Sequence, residues 1–298
     1  MPAAFVNIAL LVIASVIYGS IFSINKMAAE AGWHPLQFAF SQSIIAGGVL
    51  AMVVVLRREL PRPTLRLLLA FLVIGSLFVG LPITLLSHVA PHLPAALTTL
   101  VLALAPVVTL VFAILLRIEN FRWQALAGVG CGLAGIAILV APGSSFGMGE
   151  AAGWFLMALI APLMFGLGNV LSSLLRPPVT ASTAMAGGAL LGSAVGLLPL
   201  LAAMGLLSMP ALGPAALLPI VLASLVNAVF FVLLFEIIRR AGPTFFAQFN
   251  YLAVLAGVGW GAVLFGERPG LIFWLALALM LAGIYFATLS RPAKPATV

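Results

Sequence analysis

Aspartate is absent from this sequence altogether, and acidic side chains number only 6 in 298 residues. Without an aspartate, neither an aspartyl-phosphate pump nor a paired-aspartate protease can be built. No G-x-x-x-x-G-K-[ST] run is present to cradle nucleotide phosphates. Cys131 is the only cysteine, so no internal disulfide is possible, and its apolar surroundings suit a small packing residue. His88 and His92 are spaced HVAPH, but no cysteine lies near them and the proline breaks the helical register, which excludes the dense ligand set of a metal site. GSSFG at 143–147 matches G-x-S-x-G by letter only, since no strand-turn-helix surrounds it to expose a nucleophile. The chain therefore reads as a non-enzyme with no cofactor.

Charge is scarce as well: 6% of residues are charged and 64% are hydrophobic, far from the balance of a soluble domain. The net charge of +7 does not imply nucleic acid, because the basic residues stand at the ends of apolar runs rather than on one clustered face. The lipid bilayer is the implied partner. Cutting at charged, Pro-rich and Gly-rich breaks leaves ten apolar runs: 5–27, 36–56, 66–88, 93–116, 122–140, 150–174, 181–204, 214–238, 242–265 and 270–289. Each approaches the 20 or so residues that span a hydrocarbon core of about 30 Å. The expected fold is an all-α integral membrane protein with ten transmembrane helices. The first run has no basic n-region and reads as a retained helix, not a cleaved signal. With both termini in the cytoplasm, 11 of the 13 Lys and Arg residues fall on the inner side, leaving Lys26 and Arg268 outside.

A weak repeat runs through the chain at an offset of 148 (267 − 119), which brings Glu119 onto Glu267, Leu133-Ala134-Gly135-Ile136 onto Leu281-Ala282-Gly283-Ile284, Gly48 onto Gly196 and Ser76 onto Ser224. The halves, 1–143 and 144–298, then hold five spans each. Five is odd, so the second half enters from the opposite side, giving inverted repeats of the kind found in secondary transporters.

Three stretches in this order, YGSIFSINK in the first span, LAPVVTLVFAILLRIE ending the fourth and FGERPG after the ninth, make the chain resemble the drug/metabolite transporter superfamily, in its EamA-like ten-span branch. The resemblance covers nearly the whole chain. It implies helices around a central cavity, residence in the bacterial inner membrane, and export of small metabolites by alternating access, with aromatic and other neutral amino acids as the leading substrate class. Two departures bear on substrate: Pro106 has Val254 as its repeat equivalent, and Tyr18 stands where many relatives carry tryptophan.

Polar residues inside spans are costly unless they face a cavity or a partner helix. Tyr18, Phe22 and Asn25 share a stripe on the first span, and Thr84 and His88 one on the third, with Ser76 and Gly80. Gln37 and Ser41 share a face on the second, with Gln42 one position round. Phe165, Asn169 and Ser172 line the sixth span. Ser224 and Asn227 sit on the eighth, and Thr244, Gln248 and Tyr251 on the ninth. The candidate substrate site is thus Tyr18, Phe22, Asn25, Gln42, Thr84, His88, Phe165, Asn169, Asn227, Gln248 and Tyr251. Helix-to-helix bonding by the same groups, as in a non-transporting scaffold or receptor, is the competing reading. Export of drugs or other metabolites by the same fold is a second.

The remaining features read as structural. Ala184, Gly188, Gly192 and Gly196 form a ladder for close packing, as do Ala253, Gly257 and Gly261. Pro82, Pro94, Pro106, Pro162 and Pro199 mark kinks or ends. Lys26 is expected to pair with Glu30, and Glu236 with Arg239 and Arg240. Glu119 and Glu267 are expected to favour the N-termini of the fifth and tenth helices. No mid-membrane ionisable group is evident, so facilitated export and proton exchange both stay open.

Overall fold

The computed structural model describes residues 3–117, 123, 130–131, 134–135, 138, 151–175, 181–208, 213–246 and 249–289. Every regular element among them is helical: α1 (Ala3–Glu30), α2 (Pro35–Leu56), α3 (Leu65–Ile74), α4 (Leu81–Val89), α5 (Ala95–Val101), α6 (Ala105–Leu115), α7 (Ala151–Ala158), α8 (Ile160–Leu175), α9 (Ser182–Ala203), α10 (Leu217–Phe246), α11 (Phe249–Phe265) and α12 (Leu271–Leu289). Taken as continuous rods, 7 of the described helices are long and apolar enough to cross a bilayer, and Leu252–Phe265 forms a shorter apolar helix. The chain is a multi-pass α-helical membrane protein. Most of the expected fifth span, with Glu119, and the GSSFG run lie outside the described residues.

Local chemistry explains several boundaries. Pro35 opens α2 after His34, whose Nδ1 accepts the Leu36 N–H at 3.3 Å. Thr64 caps α3 through the Leu67 N–H at 3.2 Å. The third span widens into a π turn at Gly75–Gly80, and the Leu81 N–H reaches back to Ser76 O. Pro82 follows at once: it has no N–H to offer and its ring crowds the preceding turn, so the register slips there. The fourth span does the opposite, tightening to a 3₁₀ turn at Leu102–Leu104 just before Pro106. The sequence reading ended the eighth span near residue 238, whereas α10 runs on to Phe246. Glu236 holds Arg239 at 2.6 Å and Arg240 at 2.6 Å, pairs at i+3 and i+4 that carry the helix past the expected break.

Two arginines occupy the left-handed seat that usually belongs to glycine after a helix. Arg58 has φ 55 at the end of α2 and Arg117 has φ 58 after α6, which costs each about 1 kcal/mol relative to glycine. The backbone there still closes properly, with Glu59 N–H bonded to Val54 O and Arg117 N–H to Ile114 O, both at 3.0 Å.

Small residues set the packing. α9 lies against α2, α3 and the π turn, and α1 lies against α10 and α11. A Cβ on Gly192 would run into the Phe71 carbonyl, and one on Gly75 into Ala189 O and Ser193 N. Neither backbone neighbour can swing aside. Gly48, by contrast, meets nothing within 4 Å, although the repeat aligns it with Gly196, which a Cβ would drive into Ser76 Oγ. Gly192→Val is therefore expected to destabilise the protein by about 3 kcal/mol, the upper range for overpacking. Gly48→Ala should be neutral or slightly stabilising, because alanine favours helix by up to about 1 kcal/mol. Thermal unfolding of both variants in detergent checks the contrast.

Candidate functional site

The α1–α2 turn marks one membrane face. Trp33 Nε1 on that turn donates to Ala216 O at 2.9 Å, so the start of α10 lies at the same level. Gln37 Nε2 reaches Leu206 O at 3.1 Å and Ser208 O at 2.8 Å, tying α2 to the α9–α10 connection. Depth can be counted from there at about 1.5 Å per helical residue. Gln42 lies about 10 Å along α2 from Pro35, Asn227 about 15 Å along α10 from Leu217, and Tyr18 about 18 Å along α1 from Glu30.

At that depth two of the expected residues meet. Asn227 Nδ2 donates to Gln42 Oε1 at 2.6 Å and to Ala223 O at 3.0 Å. Both side chains are fully buried. The pair is incomplete: among the described residues, Gln42 Nε2 and Asn227 Oδ1 are buried with no hydrogen-bond partner. One donor and one acceptor are thus left over in the pair. A buried polar atom without a partner costs about 1 to 3 kcal/mol, so such atoms survive where function needs them. Ser23 Oγ and Asn25 Oδ1 on α1 and Ser87 Oγ on α4 are in the same condition, and α1 and α4 touch.

One helical turn past Asn227, Phe230 and Phe231 begin an aromatic cluster. The Tyr18 ring stacks on Phe230 with centroids 3.9 Å apart and an interplanar angle of 29°. Phe22 and Phe249 flank it at 6.2 and 5.7 Å. From Phe231 the chain of rings continues edge-on to Phe78 at 6.2 Å and on to Phe165 at 5.6 Å. Five elements contribute, and the π turn supplies Phe78. Of the expected residues, Tyr18, Phe22 and Phe165 belong to this cluster. Phe78, Phe230, Phe231 and Phe249 were not singled out, because a phenylalanine in an apolar run carries no signal of its own.

Other expected residues sit apart. Thr84 Oγ1 bonds Gly80 O of its own span at 2.8 Å. Asn169 is exposed and its amide donates to Thr109 Oγ1 on α6 at 3.4 Å. His88 is exposed at the α1–α2 face, where its ring meets Trp154 edge-on at 5.5 Å, while His92 stacks flat on the same indole at 3.7 Å. No group of three or more metal-ligating side chains occurs among the described residues. Partial burial, then the nearby His88 charge, lowers the His34 pKa below its usual 6.5, which keeps the imidazole neutral and able to cap α2. Gln248 and the side chains of Tyr251, Ser172 and Thr244 lie outside the described residues; the Thr244 backbone belongs to α10, not to the ninth span.

Lys26 does not pair with Glu30. Its Nζ lies 3.1 Å from Glu267 Oε1 and 4.2 Å from the centre of the Phe265 ring. Glu267 in turn accepts the Ala95 N–H at 2.9 Å and the Ala96 N–H at 3.0 Å. The carboxylate thus caps the start of α5, not that of the tenth span. Pro94 at that position has no side-chain cap to give, so a residue from the far half of the chain supplies one.

Apolar spans packed around a buried amide pair and a ring cluster are the interior of a multi-pass α-helical membrane protein. The profile of the EamA-like transporter family matches residues 6–141 and again 152–289. The chain belongs to that family. It is 29% identical over 300 residues to the uncharacterized inner membrane transporter YedA of Escherichia coli strain K12, an alignment covering 94% of this chain and 90% of the relative. The same protein from Escherichia coli O157:H7 matches equally. A solved crystal structure of a protein 21% identical, aligned over 94% of this chain and 96% of its own with a TM-score of 0.61, has the same fold.

Proposed function

We propose that the protein exports neutral amino acids with large apolar or aromatic side chains, or metabolites of similar shape, by alternating access. The observation that carries this reading is the half-satisfied Gln42–Asn227 pair one helical turn from the Tyr18–Phe230 stack. A free amide N–H suits a carboxylate and a free amide oxygen suits an ammonium, neither imposing a full charge. The rings suit an apolar side chain, and burial of a large one is worth about 1.5 to 3 kcal/mol. The order of motifs also resembles that of the bacterial amino-acid exporter YddG.

In this proposal ten spans form two inverted halves, 1–143 and 144–298, around a central cavity, consistent with a family profile that matches twice. The inner membrane is the site of action, as the name of the Escherichia coli relative has it for that protein. With the arginine-rich ends of the spans on the inner side, both termini are cytoplasmic in this proposal. The π turn before Pro82 and the 3₁₀ turn before Pro106 supply hinges in the third and fourth spans. Proteoliposomes preloaded with a panel of labelled amino acids test the function. Phenylalanine, tyrosine and leucine are expected to leave faster than from protein-free vesicles, and glutamate and lysine at the background rate. Background efflux for the whole panel would overturn the reading.

A further inference from the structure

We propose that the membrane face opposite the α1–α2 turn is a docking surface for anionic phospholipid headgroups. Spans two and four end on this face and span three begins on it. There the connector between α2 and α3 carries Arg57, Arg58 and Arg62, Arg66 lies in the first turn of α3, and Arg117 follows α6. All five are exposed. Among the described residues none has a carboxylate within ion-pair distance, although Glu59 sits in the same connector; Arg239 and Arg240, by contrast, are both held by Glu236.

Leu56, Leu60 and Leu65 in the same stretch are 75%, 65% and 74% exposed, side chains that gain from the boundary between headgroups and acyl chains and not from bulk water. The connector is thus held at headgroup depth, with its guanidiniums at the level of the lipid phosphates. Arg58 and Arg117 strengthen the case, since each fills a left-handed position that glycine would occupy without strain. An unpaired cation is placed there at a conformational cost, twice, at the ends of two spans on one face. Guanidinium forks match phosphate oxygens in geometry as well as charge. Anionic lipid is the occupant that a membrane supplies at this depth everywhere along the face.

Native mass spectrometry of the full-length protein, mixed with equal amounts of phosphatidylglycerol and phosphatidylcholine, tests the proposal. The wild type is expected to retain about ten times more phosphatidylglycerol, in line with the attraction of several basic residues to an anionic surface. Changing all five arginines to glutamine should bring the two lipids to within about twofold. Arg58→Gly with Arg117→Gly removes two charges while relieving the backbone, so it should fold at least as well as wild type and lose about threefold in selectivity. Equal retention of the two lipids by the wild type, or wild-type selectivity in the glycine variant, would overturn the proposal. So would an acidic protein or oligonucleotide that binds this face and leaves the lipid ratio unchanged. None of these outcomes depends on which substrate is exported.

Discussion

Asn227→Ala is expected to lower the rate of amino-acid efflux by about 10- to 100-fold, the loss of one to two buried hydrogen bonds at a binding site. The amide of Asn227 is the donor to Gln42 Oε1 at 2.6 Å, and its own oxygen is the unpartnered acceptor. Its removal abolishes that acceptor and leaves Gln42 with two unmet groups where there was one. Stability should also fall, by about 1 to 3 kcal/mol. The two effects can be separated. Replacing both residues, Gln42→Leu with Asn227→Leu, exchanges a half-satisfied polar pair for apolar contact, which is close to neutral or stabilising in energy. The double variant should regain wild-type thermal stability and still fail to transport. A double variant that is stable and transports normally would show that the pair only joins α2 to α10.

Glu267→Ala should be the most destabilising substitution at the α1–α2 face, by about 2 to 3 kcal/mol, or roughly 5 °C or more in Tm. One carboxylate satisfies two backbone N–H groups at the start of α5 and one ammonium on α1. Water is a poor substitute at a site where the Glu267 side chain is only 12% exposed. Lys26→Met retains the stem over the Phe265 ring and leaves the cap of α5 in place, so it should cost less than half as much. Thermal unfolding in detergent orders the two. Equal losses would mean that the ion pair, not the cap, carries the energy.

The sequence made 7 of the spans legible among the described residues because lipid imposes a length and a composition that are hard to imitate. Tyr18 and Phe22 were legible too, since a four-residue step fixes a helix face without knowledge of its neighbours. Periodicity does not say what that face meets. Asn169 and His88 occupy stripes as regular as that of Tyr18, yet both are exposed. Gln42 stood out only as a polar residue beside a stripe, and its partner lies 185 residues away. Lys26 illustrates the same limit: Glu30 is near in sequence, while Glu267, 241 residues on, is the partner in space. The kink of the third span was signalled by Pro82, but nothing in the sequence showed that the register would widen into a π turn packed against α9. The length of α10 was missed because two arginines look like a membrane boundary before they look like a helix stitched to Glu236.

Equilibrium binding of labelled L-phenylalanine to the purified protein, with the stable Gln42→Leu, Asn227→Leu double variant alongside, bears on the substrate site most directly. Saturable binding by the wild type and its loss in the double variant is the predicted result. Equal binding by both, or none by either while another solute is carried, would contradict it.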